Sequence, residues 1–194
     1  MPPALPAVIL AGGAARRMGG GDARVVDKAR LELRGRPLID HLLERLRPQV
    51  GAIALNANGD AGRWADLGLP VIPDTVGGRP GPLAGVLAGM EWAAGLGATH
   101  VVSAAADTPF PPVDLVGRLR AGGDLVLAAT DRPQPTFGLW PVRLADDLRH
   151  ALEGGLRKVT HWTDRHGAAV ARFPEESFFN VNAPADLDLL ERAP

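Results

Sequence analysis

Polar side chains follow four apolar runs of the sequence, within a residue or two of the point where each run ends. The run from Ala7 to Leu10 leads into Gly12-Gly13, and later runs lead into Asn56, Asp74 and Asp107. In an open parallel sheet, ligands bind beyond the carboxyl ends of the strands. Because amides, carboxylates and free backbone N–H groups bind nucleotides and hard cations, the pattern predicts a phosphate- and metal-binding site at one edge of a sheet.

The first of these segments reads LAGGAARRMGGGDARVVDK and runs from Leu10 to Lys28. It contains neither G-x-x-x-x-G-K-[ST] nor G-x-G-x-x-G, so the ordinary P-loop and dinucleotide-binding interpretations both fail. Arg16 and Arg17 stand at the predicted start of a helical turn, where positive charge opposes the helix dipole unless an anion binds there. The segment therefore predicts phosphate binding. A tight surface turn with solvated arginines is the alternative.

Two aspartates are candidates for metal binding. Asp74 and Asp107, expected at neighbouring strand ends, predict a site for Mg²⁺, which prefers oxygen ligands and bridges substrate phosphates. Taken singly, each is more often a turn or cap residue, and Asp107-Thr108-Pro109 is a good cap sequence. The adjacent basic glycine loop favours the metal, with Asp107 the better candidate.

Two pairs of asparagines are candidates with strong alternatives. Asn180 and Asn182 precede a helix predicted to begin at Pro184, so Asn182 is equally well placed to cap that helix. Asn56 and Asn58 are equally consistent with Asx turns. Neither pair identifies a site by itself.

The composition limits the chemistry. The 194 residues have a formal net charge of −1, which indicates neither nucleic-acid binding nor a membrane surface, and they include no cysteine and no tyrosine. The histidines lack metal-ligand spacing, and neither serine stands in a nucleophile motif. Direct transfer between phosphates fits best, because a phosphate monoester with a second pKa of about 6 needs no strong general base. Without a signal peptide or a membrane-spanning run, a cytoplasmic location is expected.

The elements that must position these groups alternate between strands and helices. This alternation predicts an α/β fold with three layers (α/β/α) and a mostly parallel twisted sheet. Strands are expected at 7–10, 52–55, 71–72, 99–106, 125–129 and 169–173, and helices at 37–47, 82–94, 112–120, 144–152, 158–165 and from Pro184 onwards. Residues 134–142 look extended. The irregular C-terminal half is expected to add a strand or two to one sheet edge and to cover the site.

Several blocks of the sequence occur in the order found in one enzyme family. The blocks are LAGG, RRMGG, DK, LELRGRPL, NAN, IPD, GPLAGV, DTPFPP, QPTFGLWP, RKV and FFNVN. In these blocks the chain resembles the molybdenum cofactor guanylyltransferases of the MobA type, from about Val8 to Leu190. The resemblance implies a Rossmann-like nucleotidyltransferase fold in a single domain, with residues 7–130 binding nucleotide and residues 131–194 contributing the acceptor site.

The resemblance also implies an activity and its residues. Enzymes of this family transfer GMP from GTP to the phosphate of molybdopterin carrying molybdenum, release pyrophosphate and use Mg²⁺; molybdenum-insertion proteins and recipient molybdoenzymes are possible protein partners. The GTP contacts carried over are Leu10, Ala11, Gly12, Gly13, Lys28, Asn56 and Asp74, with Asp107 holding Mg²⁺. Arg17, Asn180 and Asn182 are carried over as transfer-site residues, beside Lys28 and Asp107. The pterin is expected against 134–141 and Arg157-Lys158, since two cations opening a helix indicate a bound anion.

The chain departs from the family pattern at two places. Gly21–Val26 separates the glycine loop from Asp27-Lys28, and we align the chain on Asp27-Lys28 because the block that follows then continues without a gap. Residues 21–27 are expected to be mobile without nucleotide. Ala183 replaces the usual threonine. An enzyme of the same fold that uses CTP or a sugar phosphate, and a non-catalytic nucleotide or cofactor carrier, are the alternatives.

Overall fold

A seven-stranded sheet forms the centre of the computed structural model, which describes residues 4–12, 27–78 and 81–192. Its strands are β1 (Ala7–Leu10), β4 (Ile53–Asn56), β5 (Val71–Ile72), β6 (His100–Ala105), β7 (Val126–Ala129), β8 (Pro133–Pro141) and β9 (Ala169–Arg172). Their order across the sheet is β5-β4-β1-β6-β8-β7-β9, and every neighbouring pair is parallel except the two pairs that include β8.

Helices cover both faces of this sheet. On one face lie α1 (Leu38–Leu46) and α3 (Leu115–Gly122), and on the other lie α2 (Pro82–Gly95), α4 (Ala145–Glu153) and α5 (Val159–Arg165). Strand β1 shows why, since Ala7 and Ile9 pack into one core and Val8 into the other. An apolar strand without alternation is buried on both sides, as in other parallel sheets. The three-layer prediction is confirmed.

The C-terminal half enters the sheet as well as extending its edge. Strand β8 lies between β6 and β7, antiparallel to both, whereas β9 lies at one edge of the sheet, opposite the β5 edge. The expectation that this half adds a strand or two to one edge is therefore confirmed for β9 and wrong for β8, which lies inside the sheet. The reason lies in the second half of β8, where Phe137, Leu139 and Trp140 are buried and need partners on both sides. The indole Nε1–H of Trp140 donates to Ser103 Oγ of β6 at 2.8 Å.

A small hairpin that the sequence did not indicate lies beside the sheet. Its strands are β2 (Glu32–Leu33) and β3 (Arg36–Pro37), and its turn residues Arg34 and Gly35 have φ of 51° and 73°. Two successive positive φ angles are typical of a type I′ turn. The last helix, α6 (Pro184–Arg192), packs against this hairpin through Leu187 and Leu190, so the end of the chain returns to the vicinity of Lys28. Within the described ranges, no helix is both long and apolar enough to cross a membrane.

Candidate active site

The carboxyl ends of four parallel strands form one row across the sheet. Ala105, Leu10, Asn56 and Ile72 are partners in adjacent strands, in the order β6, β1, β4 and β5. Beyond this row lie the polar residues that the sequence singled out, from Asp107 at one end to Asp74 at the other. Ala11 and Gly12 lead out of β1 at its centre, and the Ala11 N–H donates to Asn56 O at 2.9 Å. Gly13, Arg16 and Arg17, and residues 21–26, lie outside the described residues.

Three predicted residues from distant parts of the chain converge beyond β1 and β6. The Lys28 ammonium donates to Asn182 Oδ1 at 2.7 Å and lies 3.8 Å from Asp107 Oδ2. The side chains of Lys28 and Asp107 are 22% and 25% exposed, so both charges are accessible but mostly shielded from water. A partly dehydrated ammonium beside a carboxylate and an amide oxygen fits a site that binds phosphate and a cation.

Burial controls the electrostatics of Asp107. Its desolvation raises the pKa of the carboxyl above the usual value, and the charge of Lys28 and a backbone hydrogen bond offset only part of that rise. The native fold therefore holds the carboxylate of Asp107 where neighbouring groups do not fully compensate the loss of its hydration. A divalent cation would supply the missing compensation.

The segment that carries Asn180 and Asn182 is attached to the end of β6. The Val181 N–H donates to Asp107 O at 2.8 Å, and the Thr108 hydroxyl donates to Asn180 Oδ1. Val181 and Thr108 are completely buried. These contacts, which join residues more than 70 positions apart, place both asparagines beside Asp107.

Asn182 does not cap helix α6. The carboxylate of Asp186 accepts hydrogen bonds from the N–H groups of Asn182 and Ala183, both at 2.7 Å, as in the second half of a capping box. The side chain of Asn182 is therefore left to bind Lys28. The capping interpretation of Asn182 is wrong because the helix begins two residues later, at Pro184, and the side-chain oxygen of Asn182 accepts from Lys28 instead.

Asn56 and Asn58 hold Asp74 rather than forming Asx turns. Their amide groups donate to the two carboxylate oxygens of Asp74, at 3.0 Å from Asn56 and 2.8 Å from Asn58. Asn58 Oδ1 also accepts the Asp74 N–H at 2.9 Å, and Asn56 donates to Ile72 O at 3.1 Å. The carboxylate of Asp74 thus has a fixed orientation at the outer end of the row.

The two aspartates do not share a metal site. Strands β5 and β6 are separated by β4 and β1, so Asp74 and Asp107 leave the sheet three strand spacings apart, or about 14 Å. A magnesium ion with metal–oxygen distances of about 2.1 Å is not bound by both. The expectation of neighbouring strand ends is wrong, because two strands that come earlier in the chain insert between β5 and β6.

Asp107 alone fits a divalent cation that is completed by substrate. The described residues contain no group of three or more histidine, aspartate or glutamate side chains arranged for a metal. Mg²⁺ commonly needs only one or two protein carboxylates, with waters and substrate phosphates as its other ligands. Helix α3 begins well beyond Asp107, at Leu115, so this carboxylate is not used as a cap of that helix.

Comparison with known proteins agrees with this geometry. The family model for the MobA-like NTP transferase domain matches residues 7–169. The chain belongs to the MobA-like NTP transferase family.

Similar proteins align with nearly the whole chain. It is 48% identical over 201 residues to a molybdenum cofactor guanylyltransferase of Bradyrhizobium sp. (strain ORS 278), covering 97% of this chain and 92% of the relative. It is 51% identical over 185 residues to a protein of the same name from Cereibacter sphaeroides, with 93% and 92% covered. The solved structure of molybdopterin-guanine dinucleotide biosynthesis protein A from Archaeoglobus fulgidus superimposes with a TM-score of 0.69, at 27% identity and with 96% and 97% covered.

The GPLAG block of this MobA-like chain has a packing role that its sequence does not reveal. Gly85 of α2 faces β1 and β4, and a Cβ added there would lie 2.8 Å from Leu10 Cδ2 and 2.9 Å from Asn56 Cγ. Such distances are shorter than real side chains tolerate. A glycine is therefore needed where the helix approaches the two strand ends of the site. The sequence did not indicate a role for Thr108 or Asp186. Thr108 acts through a contact with Asn180, which is distant in sequence, and Asp186 acts from the first turn of helix α6.

The expected acceptor region is only partly exposed at the site. Because β8 is antiparallel to β6, its half-buried start, 134–136, lies at the carboxyl edge, whereas Phe137–Pro141 is buried and runs to the opposite edge. The expectation that the whole of 134–141 faces the pterin is wrong for its second half. Arg157 donates to the carbonyls of Leu152 and Leu156 at the end of α4, which gives its charge a partner without a bound anion.

Proposed function

We propose that this protein transfers GMP from GTP to the phosphate of molybdenum-bearing molybdopterin and releases pyrophosphate. The convergence of Lys28, Asp107 and Asn182 beyond β1 and β6 carries the proposal, because it assembles a phosphate-binding cation, a metal-binding carboxylate and an amide in one place. The relatives described above, which are named as molybdenum cofactor guanylyltransferases, support the choice of GTP and of the acceptor.

In this proposal the nucleotide lies across the carboxyl ends of β1, β4 and β5. Leu10, Ala11 and Gly12, with Gly13, contact it through backbone groups, and the fixed carboxylate of Asp74 with Asn56 contacts it at the outer end. Lys28 lies at the other end of the row and binds the phosphates. The order of these groups along the sheet edge suits an elongated ligand whose base and phosphates are recognised separately.

The acceptor binds on the side of β8 in the same proposal. Asn180 and Asn182, with Arg17, line the transfer site, and the pterin extends towards 134–136 and Lys158. We propose one domain in which residues 7–130 bind the nucleotide and residues 131–194 contribute the acceptor side. The antiparallel β8 and the segment 180–182, both from the C-terminal part, meet the nucleotide-binding strands directly.

The transfer forms one phosphorus–oxygen bond and breaks another. An oxygen of the acceptor phosphate attacks the α-phosphorus of GTP, and the bond to the oxygen that bridges to the β-phosphate breaks, so pyrophosphate leaves with that electron pair. Lys28 balances phosphate charge, and Asn182 holds the Lys28 ammonium in place. Asp107 would hold Mg²⁺, which would neutralise charge on the phosphates. Because the attacking phosphate is already anionic, no residue is required as a strong base.

The alternatives are less well supported. A CTP- or sugar-phosphate-using enzyme would share the fold, but the relatives at about half identity over nearly the full chain are named guanylyltransferases. A non-catalytic carrier would not need the Lys28 ammonium beside the Asp107 carboxylate, yet the two lie 3.8 Å apart although the extra residues 21–26 precede Lys28 in the sequence. Contacts with molybdenum-insertion proteins and recipient enzymes, and a cytoplasmic location, stay predictions.

Pyrophosphate release tests the proposal. The purified protein is incubated with molybdenum-loaded molybdopterin, Mg²⁺ and either GTP or CTP, and pyrophosphate is measured over time. We expect release with GTP only, and loss of release after chelation of the metal or in Asp107→Asn. Folded wild-type protein that releases no pyrophosphate would refute the activity, and preference for CTP would refute the nucleotide.

A further inference from the structure

Lys28 follows a longer stretch of chain than the family pattern has, so something must hold it at the site. It begins a short 3-10 turn, Lys28–Arg30, and a residue on each side of it, Asp27 before it and Arg30 two positions after it, is bound by the segment Ala61–Leu67. Arg30 forms a two-fold ion pair with Asp66, at 2.6 and 2.7 Å, and Asp27 pairs with Arg63 at 3.3 Å. The turn that presents Lys28 is therefore attached on both sides to one neighbouring element.

Arg63 connects this turn to the loop at the other end of the nucleotide site. Its Nη1 lies 3.3 Å from Asp27 Oδ2, and its Nη2 donates to the backbone carbonyl of Asn58 at 3.0 Å. Asn58 in turn holds both the N–H and the carboxylate of Asp74. One guanidinium thus joins the residue before Lys28 to the residue that orients Asp74.

The planar fork of Arg63 is itself held in place. Its guanidinium carbon lies 5.4 Å from the centroid of the buried Trp64 ring, and that of Arg30 lies 4.6 Å from it. Arg30 also donates to Arg63 O at 2.8 Å. A lysine would not replace this group, because an ammonium is a compact charge on one nitrogen, whereas Arg63 uses two nitrogens of a rigid planar fork to reach its two partners.

We propose that Arg63 is a positioning residue for nucleotide binding, which sets Lys28 and Asp74 relative to each other. The inference rests on the proposed function for the identity of the nucleotide, and it goes beyond it by naming a residue that acts through its contacts with Asp27 and Asn58. Asp27 is its partner on the side of Lys28, where its carboxylate is only 18% exposed.

The test compares Arg63→Gln, Asp27→Asn and the double variant with wild type. GTP affinity is measured from the rise in Tm with added GTP, which requires no turnover. KM for GTP, KM for the acceptor and kcat are measured in the pyrophosphate assay. The control is Arg36→Gln, which removes an exposed ion pair with Glu44 of similar length, 3.0 Å, away from the site.

We expect Arg63→Gln to weaken GTP binding and to raise KM for GTP by about three- to tenfold, while KM for the acceptor stays unchanged. Arg63→Lys should recover only part of the loss. The double variant should be no worse than the poorer single variant, because both changes break one connection. Arg36→Gln should match wild type.

Several results would overturn the role of Arg63. These are an unchanged GTP affinity in Arg63→Gln, a fall in Tm with no change in either KM, full additivity of the two changes, or complete recovery by Arg63→Lys. If wild-type protein binds GTP but releases no pyrophosphate, the proposed function fails, and the comparison of GTP affinities still decides the role of Arg63.

Discussion

A single added methyl group at Gly85 should damage both stability and nucleotide binding. In Gly85→Ala the new Cβ would lie 2.9 Å from Asn56 Cγ, whereas ordinary contacts begin at 3.4 Å. Because Asn56 Oδ1 lies even nearer to the new Cβ than Cγ does, the amide of Asn56 must move by more than about 0.5 Å if it gives way. A shift of this size is enough to take its 3.0 Å hydrogen bond to Asp74 beyond the usual range of about 2.7–3.2 Å.

The expected magnitudes follow from these distances. Overpacking a core costs about 1–3 kcal/mol, and replacing glycine by alanine within a helix returns up to about 1 kcal/mol. We therefore expect the free energy of unfolding to fall by about 1–2 kcal/mol. Loss of the hydrogen bond that orients Asp74 should weaken GTP binding by about five- to tenfold.

Two other helix glycines separate these effects. Gly89, one turn further along α2, meets Val8 instead of Asn56, with a Cβ distance of 2.8 Å to Val8 Cβ, so Gly89→Ala should lose stability while keeping GTP affinity. Gly117 of α3 has open space, so Gly117→Ala should be neutral or gain up to about 1 kcal/mol. Urea unfolding and GTP titration measure both quantities. A Gly85→Ala protein with wild-type stability and GTP affinity would refute the close approach of α2 to the site.

Three further changes test the centre of the site. Asp107→Asn should abolish pyrophosphate release yet stabilise the fold near neutral pH. Burial raises the pKa of the Asp107 carboxyl in the native state, so its contribution to stability is fully present below the unfolded-state pKa of about 3.8 and is lost as pH rises through the native pKa. The stability advantage of Asp107→Asn over wild type in urea unfolding should therefore grow from pH 4 to pH 7. A difference that does not change with pH would contradict burial of Asp107 as the cause. Thr108→Val removes the buried hydroxyl that donates to the side-chain oxygen of Asn180, an exposed residue, so it should cost about 0.5–1.5 kcal/mol in unfolding experiments and lower kcat, and an unchanged kcat would show that Asn180 needs no such support. Ala183→Thr supplies the missing oxygen of the capping box and should raise the free energy of unfolding by about 0.5–2 kcal/mol, and an unchanged free energy of unfolding would contradict this.

Local sequence patterns were sufficient for most of the fold. The unbroken apolar run of β1 and the alternation of strands with helices predicted a buried parallel sheet with helices on both faces, which is what forms. The place of β8 was not predictable in this way, because an apolar segment does not show which two strands it will lie between. Long-range pairing with His100–Ser103 on one side and β7 on the other decided it.

The positions of candidate residues after apolar runs were enough to find them in the sequence. Their spatial contacts with one another could not be found in this way. Asp74 and Asp107 look alike in sequence, and only the strand order puts three strand spacings between them. Asn182 looks like a helix cap until its side-chain oxygen is seen to accept from Lys28, while Asp186 binds the N–H groups of Asn182 and Ala183. In both cases the deciding contact depends on the path of the chain rather than on the residue type.

The sequence by itself determined the chemical groups of this protein and their assignment to strand ends, because residue type and periodicity are local properties. It supported the alignment on Asp27-Lys28 through the unbroken block that follows. Only the tertiary structure decided that Lys28 meets Asp107 and Asn182, since these residues are distant in sequence and are brought together by the sheet, by Val181 and by the attachment of Asp27 to Arg63. Chain proximity of this kind arises from the summed packing of the whole domain, which no single segment encodes.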